Sequence, residues 1–214
     1  FSTLSWLAML FAAGMGIGLM FWSVAEPVGY FTNWAGTPLG VTAGTPEAAE
    51  LAMGATMYHW GLHPWAIYAV VGLSLAFFAF NCDMPLTIRS TFYPLFGERV
   101  WGTIGNLIDT IAVLATIFGL ATSLGFGAQQ AAGGLSFLFG IDPGILTQLT
   151  IITAVTLVAV GSVVRGLDGG VKLLSNINIS LAGLLMVFVI IAGSTSLILN
   201  GIGTTLVSYM ANIL

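Results

Sequence analysis

The stretch that decides the reading is AAGMGIGLMFWSVAEP, residues 12–27. It lies across an apolar run from Leu4 to Val24 that is long enough to cross a bilayer, because a helix needs about 20 residues to span roughly 30 Å of hydrocarbon. Yet Gly14, Gly16 and Gly18 alternate near the middle of that run. Gly14 and Gly18 form a GxxxG pair, which lets two helices pack closely. Gly16 is not needed for such packing, and each glycine weakens a helix by about 1 kcal/mol relative to alanine. Three within five residues favour a local break. Unwound backbone at membrane depth persists only where it lines a cavity or is buried in protein, and its freed amides and carbonyls then suit a carboxylate and a cation. No ionised side chain occupies the middle of this span, so backbone dipoles would handle any charge bound there.

The rest of the chain agrees that the solvent is lipid. Its 214 residues are 57% hydrophobic and 6% charged, with a mean hydropathy of +1.02, outside the range of a soluble domain. Four Lys and Arg and a formal net charge of -4 make no basic stripe, so nucleic acid is excluded as a partner and membrane lipid is expected. Cys82 is the single cysteine and has no partner for a disulfide. The chain begins with Phe1 and shows no signal peptide, so it reads as a piece of something longer.

Five spans meet the length test: 4–24, 56–80, 104–132 with its unbroken apolar part beginning at Thr110, 145–164 and 173–199. The predicted fold class is all-α integral membrane. LSFLFG, residues 135–140, is too short for another crossing and reads as an interfacial extension. All four basic residues, Arg89, Arg99, Arg165 and Lys172, fall between the second and third or the fourth and fifth spans. The positive-inside rule therefore puts the amino end in the cytoplasm and the carboxyl end outside. Residues 29–50 form an external loop, in which Thr45 is the expected N-cap of a helix opening with Pro46.

A second irregular place is HWGLHPWAIY, residues 59–68. At about 100° per residue of one continuous helix, Trp60, Trp65 and Tyr68 share a broad face, and Pro64 should kink the helix by freeing the carbonyl of Trp60. Aromatics of this kind commonly form a belt at the membrane interface. These stand several residues inside their run, and electron-rich ring faces are a usual means of holding a quaternary ammonium group. His59 and His63 read as structural residues, since no third or fourth metal ligand accompanies them. In ATIFGLATSLGFGA, residues 115–128, the hydroxyls of Thr116, Thr122 and Ser123 either bond back to helical carbonyls or offer oxygen to a hard cation such as sodium; the residues alone leave both open.

These motifs, with LTIRSTFYPLFGERVWGTIGNLID at 86–109 and GLDGGVKLLSNIN at 166–178, resemble the betaine/choline/carnitine transporter family in order and spacing over essentially the whole chain. The resemblance implies one half, the first inverted repeat, of a leucine-transporter-like fold in a bacterial inner membrane, with no cofactor and with a trimer as the oligomer. It implies that the backbone of Gly14, Met15, Gly16, Ile17 and Gly18, with Ala13 beside it, meets the carboxylate of a small quaternary-ammonium solute. Trp60, Trp65 and Tyr68 correspond to the cage aromatics. Carbonyls of Ala12 and Met15 correspond to half of one sodium site, and Thr116 to the first member of a Thr-x-x-x-Thr pair at another. Leu120 departs from the second member of that pair. Glycine at the position of Gly18 goes, in the family, with zwitterionic solutes and sodium coupling, whereas aspartate there goes with choline and proton coupling. The alternatives are sodium-independent exchange of carnitine-like solutes, which Leu120 favours, and proton-coupled transport of choline. A membrane enzyme would need an activated nucleophile or a metal cluster at membrane depth, and a channel would need charged rings or carbonyl filters; neither pattern is present in the sequence.

Overall fold

A computed structural model describes residues 2–14, 16–34 and 36–213, with the backbone alone at residues 17–19. Ten α-helices occur among the described residues: α1 Thr3–Gly14, α2 Ile17–Thr32, α3 Pro46–Trp60, α4 Leu62–Ala76, α5 Ile88–Thr91, α6 Tyr93–Phe96, α7 Thr103–Phe139, α8 Ile145–Val164, α9 Lys172–Ala192 and α10 Thr195–Ala211. No strand occurs among them, as expected where every backbone polar group must be satisfied inside its own segment. Short π-helical turns close α4 at Phe77–Asn81 and open α9 at Leu167–Val171.

Four helical runs are long and apolar enough to cross a membrane: Pro46–Asn81, Thr103–Phe139, Ile145–Val164 and Leu167–Ala192. The first expected span, 4–24, is divided into α1 and α2, each shorter than a bilayer requires. The span expected at 173–199 ends instead at Ala192. Gly193 is extended there, its N–H donating to Val189 O at 2.9 Å, and Thr195 Oγ1 donates to Ile190 O at 2.7 Å as α10 begins. The span expected at 104–132 also changes, because α7 continues through Gly133 and Gly134 as one helix of 37 residues, about 55 Å long. LSFLF is thus the end of α7 and not a separate extension. The stop is Gly140, at φ 69°, whose N–H donates to Ser136 O at 2.9 Å, the left-handed glycine that commonly ends a helix.

The chain divides into two compact units, residues 1–57 with 123–214, and residues 58–122. In the first, α1 packs along α9, burying Ser5, Ala8 and Ser175. Small side chains let the two backbones approach, as at other membrane helix interfaces. α3 opens as its sequence requires: Thr45 Oγ1 accepts from the N–H of Ala48 at 3.2 Å, with Pro46 next in line. Ala48, Ala52 and Gly54 on α3 are buried. Ser208 on α10 donates to Glu50 O at 3.3 Å, and a Cβ on Gly54 would collide with its hydroxyl. In the second unit, Asp109 near the start of α7 accepts the backbone N–H of Arg89 at 3.0 Å and its guanidinium Nε. That pair ties α5 to α7. Val100 and Ser90, in the segment it holds, are buried.

Candidate functional site

In the first unit, the glycine-rich stretch is where the helix breaks. α1 ends at Gly14, and Gly16 is extended (φ −96°, ψ 177°) as the N-cap of α2. Met15 lies outside the described residues. The first intrahelical bond of the new helix runs from Met20 N to Gly16 O at 3.3 Å. Amides of the first turn of α2 therefore have no partner in their own helix, and neither do the last carbonyls of α1, which include those of Ala12, Ala13 and Gly14. The start of α2 is the positive end of its dipole and the end of α1 the negative end of its own. A carboxylate suits the first and a cation the second. A Cβ placed on Gly16 meets no atom within 4 Å.

Gly16, with Phe11 before it and Met20 after it, lines a cavity of about 1050 Å³. Its other walls come from the second half of α7 and from α8, α9 and α10, and they are apolar apart from Gln130 and Asn178. Beyond the break, Phe21 stacks on Phe126 of α7 at 5.0 Å between centroids, Trp22 meets the same ring edge-on at 5.5 Å, and Trp34 lies 6.4 Å from Trp22. The sequence reading passed over this cluster. The one signal was the FW pair three residues after Gly18, which shows nothing of Phe126 more than a hundred residues away.

In the second unit, the aromatics of residues 59–68 divide between two helices. α3 ends at Trp60, Gly61 interrupts, and α4 starts at Leu62. Pro64 is the third residue of α4, where a missing N–H costs nothing because no helical carbonyl is in place to receive it. The expected kink is thus a break at Gly61, and a single helical face for Trp60, Trp65 and Tyr68 is corrected accordingly. Trp65 and Tyr68 do stand together on α4, one turn apart, with centroids 5.5 Å apart and planes inclined at 51°. Their faces form an open corner, 48% and 67% exposed. A cation held by both rings must lie within about 6 Å of each centroid, which this spacing permits. Trp60 is half-buried and tilted against His59 at 5.0 Å. His63 lies against Tyr58 at 4.0 Å.

On α7, both threonine hydroxyls bond back along the helix, Thr116 Oγ1 to Ala112 O at 2.9 Å and Thr122 Oγ1 to Phe118 O at 2.8 Å. Each oxygen still has acceptor capacity after donating its proton. Leu120, one turn beyond Thr116, is exposed and offers no oxygen.

With this geometry in view, comparison with known proteins is direct. A family profile described as betaine/carnitine/choline family transporter matches residues 1–214. Glycine betaine transporter 1 of Vibrio parahaemolyticus is 64% identical over 214 residues, covering all of this chain and 41% of that protein. Glycine betaine transporter OpuD of Bacillus subtilis is 48% identical over 213 residues, again all of this chain and 41% of the relative. The high-affinity choline transport protein of Escherichia coli is 47% identical over 202 residues, 94% of this chain and 29% of the relative. The chain thus spans about two fifths of the length of the first two relatives. It is a multi-pass integral membrane protein and belongs to the betaine/carnitine/choline family of transporters.

Proposed function

We propose that the protein moves a trimethylammonium zwitterion of the glycine betaine type across the membrane by alternating access, coupled to an inward sodium gradient. The observation that carries this reading is the break at Gly16, which leaves helix ends of opposite polarity beside a cavity with apolar walls. A zwitterion has a carboxylate for the amides of α2 and a diffuse cation for ring faces such as those of Trp65 and Tyr68. Sodium, a hard ion, would take backbone carbonyl oxygens, with those of Ala12 and Met15 the candidates at one site, and the hydroxyl of Thr116 on α7 is the candidate at another. Identity of 64% along the entire chain to a protein named glycine betaine transporter 1 supports the choice of solute. Oligomerisation as a trimer and residence in a bacterial inner membrane belong to the same proposal.

The test is uptake of labelled glycine betaine by the full-length protein in vesicles, with and without an inward sodium gradient. Uptake that depends on the gradient is expected. Betaine uptake indifferent to sodium, with carnitine exchanging instead, would favour the alternative suggested by Leu120, and preference for choline over betaine would overturn the choice of solute.

A further inference from the structure

The connection between the second and third expected spans carries an apolar face that its own fold does not use. Residues 82–102 join helical runs that end at Asn81 and begin at Thr103, so both ends of the connection are fixed at one surface of the bilayer. Its inner side is packed: Val100 is fully buried, Ser90 donates from Oγ to Pro85 O at 2.7 Å, and Arg89 is held on Asp109. The same segment leaves Leu86 at 66% exposure, Leu95 at 74%, and Phe96 and Trp101 exposed as well. Tyr93 Oη donates to Glu98 Oε1 at 2.8 Å, a bond that raises the phenol's pKa, and Arg99 is exposed. Tyrosine, tryptophan and arginine beside exposed leucine are the residues that favour the boundary between headgroups and acyl chains. An amphipathic helical segment held parallel to such a boundary buries its apolar face about 5–10 Å deep.

We propose that the exposed side chains of Leu86, Leu95, Phe96 and Trp101 dock this connection into the headgroup layer of the bilayer, with Arg99 at the level of the lipid phosphates. The occupant is phospholipid, because the segment is continuous at both ends with membrane-crossing helices and cannot stand far from the surface. A lipid contact here acts on α7 directly, since Asp109 couples the segment to the helix that carries Thr116.

The experiment uses the full-length transporter, otherwise free of cysteine and with Cys82→Ser, carrying a bimane label on Leu95→Cys or on Glu98→Cys in phosphatidylcholine vesicles. Quenching is read with chain-brominated phosphatidylcholine and with aqueous iodide. The label at 95 should be quenched by the brominated lipid about threefold more than the label at 98, with the order reversed for iodide. Equal iodide quenching at the two positions would place the face in water. Quenching by neither agent at 95 would place it under protein. Either outcome overturns the proposal, and Phe96→Cys serves as a second position should Leu95→Cys fail to fold.

Discussion

Gly16 and Gly170 are both glycines at the entry to a helix, and they are there for opposite reasons. Gly170, in the π-turn before α9, sits so close to the preceding helix that a Cβ would collide with the backbone carbonyl of Ser162. Gly105 at the start of α7 stands in the same relation to the carbonyl of Val100. Those turns use glycine so that one stretch of backbone can touch another. Gly16 has extended backbone that any residue adopts and open space around the position of its missing side chain. The fold alone therefore does not require glycine there. A bound solute that approaches the backbone would.

Three substitutions of the same kind put this contrast to the test. The largest effect is expected from Gly170→Ala and Gly105→Ala, because a backbone carbonyl must move aside and overpacking of this kind costs about 1–3 kcal/mol or more. Both should lower the yield of monodisperse protein and the melting temperature. Gly16→Ala should leave both measurements near the parent protein. Equal damage from all three would remove the distinction between structural and open glycines.

The next effect in size belongs to the aromatic corner. A desolvated cation over an indole face is worth about 2 kcal/mol, and each 1.4 kcal/mol is a factor of ten in affinity. Trp65→Leu in the full-length protein should weaken glycine betaine binding roughly tenfold or more at matched folded concentration. Trp65→Phe should fall between that variant and the parent. A residue of the interfacial belt would behave otherwise, with neither change moving affinity. Gly16→Ala should weaken the same affinity about threefold to tenfold, by holding the carboxylate away from the amides of α2. Unchanged affinity in Gly16→Ala would mean that the solute does not approach the break.

How much of this was legible follows from what each signal measures. Hydropathy reads the solvent, so membrane crossing by an all-α chain was open to view, and the density of glycine at 14–18 located the break in the first span. Helix ends depend on local bonds that hydropathy averages away. Gly193, Ser194 and Thr195 end α9 inside an apolar run, while Gly133 and Gly134 interrupt nothing. Pro64 marked the second break but not its form, because proline in a first turn and proline in a helix interior look alike in sequence. Trp65 and Tyr68 needed only helical spacing to be paired. Phe21, Trp22 and Phe126 needed knowledge of which helices approach one another, and spacing along the chain does not carry it.

The smallest effect, and the most specific, concerns ion coupling on α7. Thr116 donates its hydroxyl proton to Ala112 O and keeps its oxygen available as an acceptor. A cation bound at membrane depth needs several oxygens, and residues four apart on a helix have Cβ atoms about 5–6 Å from each other, close enough to share one ion. Leu120 occupies that fourth position and supplies none. The full-length protein should therefore show sodium-dependent betaine uptake with a Hill coefficient of about one, where a second hydroxyl at position 120 would help to hold a further ion. Leu120→Thr should bond back to the carbonyl of Thr116, as Thr116 and Thr122 do to theirs, and turn its free lone pair to the same side. The Hill coefficient should then rise without a change in betaine affinity at saturating sodium. A coefficient near two in the unmodified protein would show that Leu120 does not limit coupling, and that Thr116 is held on α7 by its back-bond alone.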